Sequence, residues 1–241
     1  MNFPGLLTLR RLAQRIDLKA TRCVVCGTLC HEGPLCPECR QELKPRTGGY
    51  CPRCGRHFGE DDDTPHLCAS CRSIPPPWNA LGFHGAHEGL LRELVLTFKF
   101  RQGLHLTALL RDMTEQAFSR MDAPQPELIV PVPLHRRRLV WRGYNQSLEL
   151  SRGITKRHHI PLSTKALLRT RNTIPQTQLE AEERRKNIRG AFKADEEVQG
   201  KSVLLVDDVL TTGATLEECA KTLHRAGASA VAVLVLSVAE K

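Results

Sequence analysis

The sequence is poor in aromatic residues and has no long apolar run. Seven Phe, two Trp and two Tyr occur among 241 residues, too few for a row of aromatic platforms on which a protein could stack single-stranded bases. No segment approaches the roughly 20 apolar residues that span a bilayer. The first residues lack the charged front and apolar core of a secretion signal. We therefore expect a cytoplasmic protein that does not insert into a membrane.

The sequence also lacks the glycine motifs of nucleotide binding. It contains no G-x-G-x-x-G segment and no Walker lysine after Gly213, so dinucleotide and nucleoside triphosphate sites have no motif support. Basic residues, in contrast, are abundant, since 35 Lys and Arg against 26 Asp and Glu give a formal net charge of +9. This excess favours an anionic partner, either a nucleic acid or a phosphorylated metabolite.

Cysteine is abundant too, and it is concentrated near the start of the chain. Nine of the ten cysteines precede Arg72, and eight of them form four C-x-x-C pairs. In a reducing compartment such pairs are more often metal ligands than disulfides, and two pairs close one tetrahedral zinc site. We therefore predict two structural zinc ions in a double zinc ribbon, with the ligands Cys23, Cys26, Cys36, Cys39, Cys51, Cys54, Cys68 and Cys71.

Two pairings of these C-x-x-C knuckles are open. Sequential pairing joins the first pair with the second and the third with the fourth, whereas a cross-brace alternates them. The sequential loops are nine and thirteen residues long, and because shorter loops cost less entropy to close, we favour the sequential arrangement. Cys30, His31, His57 and His66 lie nearby and are interpreted as spare residues.

Changes of pattern along the chain predict three segments. Residues 1–20 contain a short amphipathic helix, and residues 21–73 hold the double zinc ribbon. Residues 73–77 include three consecutive prolines and form a stiff linker. Residues 78–241 then combine helical periodicity with buried apolar runs, which is typical of an α/β fold with a parallel sheet flanked by helices.

The most informative stretch of this last segment is 203–215. Residues 203–206 are apolar without alternation, as in a buried parallel strand, and two adjacent carboxylates end the strand. A turn then leads into a helical pattern at residues 216–225. Because backbone N–H groups at a helix N-terminus bind phosphate, the predicted phosphate ligands are the turn residues Thr211, Thr212, Gly213, Ala214 and Thr215.

The two carboxylates suit a different partner. Asp207 and Asp208 can accept hydrogen bonds from vicinal sugar hydroxyls or hold a hydrated magnesium ion. A phosphate beside a diol is a ribose phosphate, so this is the predicted ligand. The alternative is an ordinary strand, turn and helix whose acids are merely exposed.

Cationic residues follow another strand and a helix. The first buried strand of the sheet, at 128–132, ends in a rigid turn that carries His135, Arg136, Arg137 and Arg138. This is the edge where a parallel sheet binds its ligand, so these cations would meet a diphosphate. Lys99 and Arg101 follow a helix at residues 90–98, where they either complement the helix dipole or contact the ligand.

The remaining elements are predicted from their periodicity. Helices are expected at about 104–120 and 144–157, and a buried strand at 230–236. At the start of the second of these helices, Asn145 and Gln146 either cap the helix or hold ligand oxygens. The polar stretch 169–178, followed by Arg184 and Arg185, is either a lid over the site or a mobile basic loop.

These motifs resemble those of two known groups of proteins. Residues 203–215 resemble the phosphoribosyl diphosphate (PRPP) signature of type I phosphoribosyltransferases. The chain from Cys23 to about Val238 resembles the ComF family of competence and DNA-uptake proteins. The second resemblance is carried by the cysteine module, by the signature and by residues 98–101, 131–134 and 142–146.

The resemblance implies a type I phosphoribosyltransferase fold behind an N-terminal double zinc ribbon, and a site for PRPP with magnesium. Asp207 and Asp208 are the expected catalytic residues, because carboxylates near the ribose stabilise it while diphosphate departs. The residues expected to bind PRPP are Lys99, Arg101, His135, Arg136, Asp207, Asp208, Thr211, Thr212, Gly213, Ala214 and Thr215. The acceptor of a transfer reaction is not identified by any motif.

The ComF resemblance further implies a role in DNA uptake or utilisation, as in competence and natural transformation. Single-stranded DNA and a DNA-uptake helicase are the partners that it implies. The alternative to an enzyme is therefore a non-catalytic adaptor that binds single-stranded DNA on the same fold, which the basic charge also fits.

Overall fold

The computed structural model describes residues 21–59, 62, 64–100, 103–171 and 181–239. The predicted N-terminal helix at 1–20, Arg101 and most of the predicted lid lie outside these residues. The side chains of Arg184 and Arg185 also lie outside the described part. The chain divides into two compact units between Leu43 and Lys44, and the predicted segment boundaries stay predictions.

The first compact unit is built around two C-x-x-C knuckles. Strands β1 (Thr21–Arg22) and β2 (Leu29–Cys30) pair antiparallel on either side of the first knuckle. The second knuckle opens helix α1 (Pro37–Glu42), which begins after Cys36 and has a proline in its first turn. Proline is favoured there because the amide it lacks would have no acceptor within the helix.

The second compact unit contains the parallel sheet that the apolar runs predict. Its strands are β3 (Ala80–Gly82), β4 (Gly85–Ala86), β5 (Leu128–Pro131), β8 (Ser202–Leu210) and β9 (Ala230–Val238). The order is β3-β9-β8-β5, every pairing is parallel, and β4 also pairs with β9. A separate antiparallel pair is formed by β6 (Leu167–Arg169) and β7 (Phe192–Ala194). The predicted α/β fold is confirmed.

Helices cover this sheet and connect its strands. Their bounds are α2 (Ala69–Ser73), α3 (Gly89–Phe100), α4 (Thr107–Ser119), α5 (Arg136–Arg142), α6 (Gln146–His158), α7 (Ala181–Ile188) and α8 (Ala214–Arg225). Short 3₁₀ helices at Gly103–Leu106 and Glu196–Val198 complete the described elements. None of the described helices is long and apolar enough to cross a membrane.

Two sequence-based expectations about strands are wrong. The strand expected to end before the two carboxylates continues through them to Leu210, because Val209 and Leu210 keep their pairing with Ser237 and Val238. The strand at Leu128 is not the first of the sheet, since β3 and β4 precede it. These short edge strands carry too few residues for a periodic pattern.

The rigid cationic turn expected after β5 is a helix instead. The Nδ1 atom of His135 accepts the backbone N–H of Arg137 at 3.3 Å and caps α5. At the other end Gly143 adopts a left-handed φ of 82°, a conformation that glycine reaches without strain. The caps define this helix more than burial does, since Val140 and Trp141 are 84% and 73% exposed.

Candidate functional site

The carboxyl edge of the parallel sheet carries the candidate site. Strand β8 delivers Asp207 and Asp208 to this edge, and the turn after it leads into α8. The neighbouring strand β5 leads through Val132 into α5, while α3 ends beside the same edge with Lys99. In parallel sheets this edge is where ligands bind, because the loops that follow the strands meet there.

The two adjacent carboxylates have different partners. Asp208 is buried, and its two carboxylate oxygens lie 2.9 and 2.8 Å from the Nζ atom of Lys99. One oxygen of Asp207 accepts two hydrogen bonds of 2.9 Å each, from the Ser147 hydroxyl and from the backbone N–H of Asp208. Asp208 therefore has a cationic partner, and Asp207 is held by neutral donors.

This difference affects the protonation of Asp207. Burial, followed by repulsion from Asp208, raises the pKa of Asp207 to about 7, although Lys99 and the two hydrogen bonds oppose the increase. A carboxyl group with such a pKa gives up its proton when a cation arrives nearby. Asp207 is thus suited to a magnesium ion or to the hydroxyl groups of a sugar.

The turn between β8 and α8 has the geometry of an anion site. Gly213 precedes α8 with a left-handed φ of 84°, and the Thr212 hydroxyl accepts the N–H of Ala214 at 3.5 Å. The first amide groups of a helix have no acceptor within the helix, and the helix dipole adds partial positive charge there. Such a turn favours a phosphate group.

A cavity of 420 Å³ joins the carboxylates to this turn. Its further walls carry three cationic side chains, those of Arg138, Arg142 and Arg169, which we call the arginine cluster. Trp141 and Phe100 also line the cavity. One cavity therefore holds acidic groups, an anion-binding turn and several arginines.

Burial lowers the pKa of every member of the arginine cluster. The pKa of Arg169 falls to about 10, mainly through burial and then through the nearby Arg138. The pKa of Arg142 is lowered by burial and also by Arg138, with Asp208 acting in the opposite direction. Neighbouring cations that remain charged repel one another, and an anion that enters between them is bound favourably because it offsets this repulsion.

Hydrogen bonds from the segment 142–146 connect the elements that line this cavity. Arg142 donates to the Gln146 side chain at 2.9 Å and lies over the Phe100 ring at 5.0 Å. Gln146 in turn donates to the carbonyl of Lys99 at 3.3 Å. Asn145 caps α6 and donates to the carbonyl of Val132 at 3.0 Å. These amides therefore cap and connect the elements that surround the ligand space.

The structure brings together most of the predicted ligand residues. The cavity lining includes Lys99, Asp207, Asp208, Thr211, Gly213, Ala214 and Thr215, and Thr212 belongs to the same turn. His135 and Arg136 line a neighbouring cavity of 820 Å³ instead. Their role and that of the other predicted ligands stay predictions.

Arg142 and Arg169 are absent from the residues that the sequence predicts as ligands, whereas Arg138 is among the cations expected at this edge. Arg138 and Arg142 are four positions apart, so a helix places them on one face. The interpretation of residues 131–138 as a turn hides that signal. Arg169 lies at the end of β6, and no local pattern relates it to α5.

The cysteines form two compact groups in the described part of the chain. One contains Cys23, Cys26, Cys36 and Cys39, and the other Cys51, Cys54, Cys68 and Cys71, with the ligand atoms of each within 4.8 Å of one another. We call them the first and second cysteine sites. The sequential pairing is confirmed.

The sulfur distances fit zinc. The Sγ atoms of Cys26 and Cys36 are 3.6 Å apart, and those of Cys54 and Cys68 are 3.7 Å apart. A tetrahedral ion with Zn–S bonds of about 2.3 Å places its sulfurs roughly 3.8 Å apart. Cys30 belongs to neither group, and its thiol lies 3.5 Å from the carbonyl oxygen of Thr21.

Comparison with family models assigns both parts of the chain. A double zinc ribbon domain matches residues 18–74, and a phosphoribosyl transferase domain matches residues 143–240. The fold is therefore that of a phosphoribosyltransferase with an N-terminal double zinc ribbon. In a solved glutamine PRPP amidotransferase from B. subtilis, the similarity covers 53% of this chain but only 25% of that enzyme, with 25% identity and a TM-score of 0.36. So weak a match supports no conclusion about function.

Curated relatives match over most of the chain. The DNA utilization protein YhgH of Escherichia coli K12 is 34% identical, with 84% of this chain and 96% of that protein covered. Competence protein F of Haemophilus influenzae is 32% identical over 88% and 94%, and competence protein ComFC of Bacillus subtilis is 27% identical over 81% and 80%. Since this identity extends through the zinc ribbon and the phosphoribosyl transferase domain alike, the chain belongs to the ComF family.

Proposed function

We propose that the cavity at the carboxyl edge of the sheet binds PRPP together with magnesium. The observation that supports this proposal best is the combination of an acidic pair, an anion-binding turn and the arginine cluster around one space of 420 Å³. PRPP carries a phosphate at one end, a diol in the middle and a diphosphate at the anomeric carbon. The cavity offers a complementary group for each of these parts.

The 5′-phosphate is assigned to the turn at residues 211–215, where helix α8 begins. Asp207 and Asp208 lie next to the turn and would accept hydrogen bonds from the two ribose hydroxyls. The diphosphate then faces the arginine cluster, whose planar guanidinium groups donate several parallel hydrogen bonds to phosphate oxygens. This orientation keeps the carboxylates away from the phosphates.

The same arrangement suits departure of the diphosphate. In a dissociative reaction negative charge grows on the leaving group, and arginines that are already in place stabilise it without reorganisation. Magnesium bound with the diphosphate would neutralise a further part of that charge. The carboxylates near the ribose stabilise the cationic sugar that develops at the same time. No nucleophilic side chain is needed for such a reaction.

The proposal is tested by calorimetric titration of the full chain with PRPP and magnesium. Asp207→Asn with Asp208→Asn should weaken binding by at least about tenfold, because both carboxylates lose their charge. Asp112→Asn with Asp122→Asn is the matched control, since it makes the same charge change at two exposed positions. Equal affinity of the acidic-pair variant and the wild type would place the ligand elsewhere, and the zinc content should be unchanged in every variant.

We also infer that the chain acts in DNA utilisation, as the names of its relatives indicate for those proteins. Direct binding of single-stranded DNA is the second candidate function, and helix α5 favours it. Arg136 and Arg137 are exposed on this helix, and Trp141 is 73% exposed at the cavity. Arginines that neutralise phosphates beside one stacking indole are suited to a single strand. The predicted helicase partner and cytoplasmic location stay predictions.

A salt titration decides this second candidate. Binding of single-stranded DNA should weaken with a log-log salt slope of roughly −0.7 per neutralised phosphate, and Arg136→Gln with Arg137→Gln should flatten that slope by up to about 1.4. Competition by PRPP would indicate that both ligands share the cavity mouth. If DNA affinity is insensitive to the two substitutions, α5 is not the DNA-binding surface.

A further inference from the structure

The second cysteine site is packed against the ends of the sheet strands within the same compact unit. The carbonyl of Pro52, which lies between its first two ligands, accepts the N–H of Leu81 in β3 at 3.2 Å. A β-carbon on Gly55, which follows the ligand Cys54, would lie only 2.8 Å from the Val238 side chain at the end of β9. The knuckle backbone is therefore in direct contact with the carboxyl end of the sheet.

Trp78 connects this knuckle to the turn of the candidate site. Its indole Nε1 donates to the carbonyl of Arg53 at 2.7 Å, and the Arg53 guanidinium donates to the carbonyl of Trp78. Arg53 lies between the ligands Cys51 and Cys54, so both bonds attach Trp78 to this knuckle. The indole is only 4% exposed, so these bonds lie on the margin of the core, where they are poorly replaced by water.

The far edge of the same indole ring reaches Gly213. Its Cη2 atom lies 3.8 Å from the position that a β-carbon on Gly213 would take, and Leu210 lies 3.5 Å from that position. Both are ordinary van der Waals distances to a β-carbon that glycine lacks, so the ring and Leu210 border the space beside the turn backbone. The Trp78 ring thus limits how far the left-handed residue before α8 can shift toward it.

We propose that the second cysteine site is a positioning element for the anion-binding turn and that Trp78 is the positioning residue through which it acts. With a metal ion bound, the knuckle holds Arg53, and Arg53 holds the indole ring beside Gly213. Loss of that ion releases the knuckle, and the turn at residues 211–215 loses one of its supports. The link to PRPP affinity rests on the proposed function, whereas the effect on the turn does not.

Amide hydrogen exchange on the full chain tests the link without any ligand. Cys68→Ser with Cys71→Ser removes half of the second site, and Cys36→Ser with Cys39→Ser makes the same change in the first, whose ligands belong to the other compact unit. The second-site variant should exchange the amides of residues 209–216 about tenfold faster. The first-site variant should leave them as in the wild type, and equal protection in both variants would overturn the proposal.

If the second-site variant unfolds as a whole, the amides of residues 203–206 will also exchange faster. In that case Trp78→Phe tests whether Trp78 positions the turn. This substitution leaves all eight ligand cysteines intact and keeps a ring, but it removes the bond from the indole to the Arg53 carbonyl. We expect a zinc content equal to the wild type, faster exchange at 209–216 and roughly fivefold weaker PRPP binding, the effect of one partly buried hydrogen bond.

Phe83→Leu is the matched control for Trp78→Phe. Phe83 is similarly buried, at 5% exposure, and packs against Tyr50 with ring centroids 4.8 Å apart. Its variant should leave exchange at 209–216 unchanged, and the same acceleration in both variants would reduce Trp78 to an ordinary core residue. If the wild type binds no PRPP, the proposed function fails, while the exchange rates still decide whether the second site supports the turn.

Discussion

The cysteine sites and the cavity at the sheet edge both crowd groups of like charge, but they do so in different ways. At each cysteine site, four sulfurs converge within 4.8 Å, a geometry suited to one metal ion that offsets their negative charge. In the cavity two carboxylates adjoin each other and the arginine cluster faces them, with Lys99 as the cationic partner of Asp208. A metal ion would offset the negative charge at each cysteine site, whereas an anionic ligand would offset the positive charge of the arginine cluster.

This difference has a consequence for stability. Removing a group from a metal site deprives the fold of an ion that stabilises it, because such ions bind the folded chain and not the unfolded one. Removing the charge of Asp207, which neutral donors hold, or one charge of the arginine cluster relieves repulsion and desolvation that the folded protein bears without its ligand. Asp208 is the exception, because its loss would leave Lys99 without its carboxylate partner. The same kind of substitution should therefore destabilise the first region and spare or stabilise the second.

Metal removal is expected to have the largest effect. Protein purified without added metal should contain two zinc ions per chain, one for each cysteine site, and Cys39→Ser should reduce the content to one. Structural zinc contributes on the order of 10 kcal/mol to a small domain, so residues 21–43 should lose their protection from amide exchange in this variant. Elemental analysis and exchange on the same sample make the measurement.

Cys30→Ser is the control for that prediction. Cys30 is buried and precedes the second knuckle, but it belongs to neither group of four cysteines. Its variant should retain two zinc ions and the protection of the first unit. A wild-type content of one ion would show that one of the two groups does not bind zinc, and the contrast between the regions would then be limited to the occupied site.

Asp207→Asn should have the opposite effect and increase the free energy of unfolding. The folded-state pKa of Asp207 is raised above its unfolded value, to about 7. The stability it contributes is thus present in acid and lost as the pH rises through 7. The asparagine oxygen can still accept the bonds from Ser147 and Asp208 without carrying charge. We expect the variant to be more stable than the wild type by about 1–3 kcal/mol at pH 8.

Urea unfolding at two pH values measures this effect. The stability difference between variant and wild type should grow from pH 5 to pH 8, because Asp207 loses its proton over that interval. Asp112→Asn, at an exposed position of α4, should change stability by less than about 0.5 kcal/mol at either pH. A less stable Asp207→Asn at pH 8 would mean that its two hydrogen bonds outweigh the cost of the buried charge.

The contrast between the regions also explains how much can be predicted from the sequence. Each cysteine site takes all its ligands from two knuckles separated by nine or thirteen residues, so spacing alone contains the geometry. The strand, turn and helix around Gly213 form another local unit, and the sequence predicts these elements with the end of β8 and the start of α8 misplaced. Local chemistry is predictable because neighbours in sequence are neighbours in space.

The arginine cluster, in contrast, joins residues that are distant in the sequence, so its assembly is not predictable in this way. Arg138 and Arg169 meet in one cavity although 31 positions separate them in the sequence, and that proximity depends on how β6 and α5 pack. Helix α5 itself escapes prediction because its exposed Val140 and Trp141 give no apolar face. Trp78 likewise resembles an ordinary core residue until its bond to Arg53 and its position beside Gly213 are known.

Gly213→Ala separates backbone strain from charge crowding in the cavity. A β-carbon there would lie 3.5 Å from Leu210 and 3.8 Å from Trp78, which are ordinary contacts. The cost therefore comes from the φ of 84° and should be about 1–2 kcal/mol in the free energy of unfolding. Gly59→Ala, at a site with open space and no left-handed φ, should be close to neutral. Equal effects of the two substitutions would exclude strain at the turn.

Arg138→Gln is expected to change stability least while still affecting the ligand. Burial lowers the pKa of Arg138, and Arg138 in turn lowers the pKa of Arg142 and Arg169, so its removal relieves repulsion that offsets the packing and bonding lost. The free energy of unfolding should therefore change by no more than about 0.5 kcal/mol. PRPP affinity should fall roughly tenfold, because a desolvated guanidinium is among the strongest partners of a phosphate group.

Lys156→Gln is the control, since it removes one charge from an exposed position of α6, and it should leave both the free energy of unfolding and PRPP affinity unchanged. A variant that is clearly destabilised yet binds PRPP with wild-type affinity would make Arg138 a structural residue, and the cavity would then resemble the metal sites rather than contrast with them.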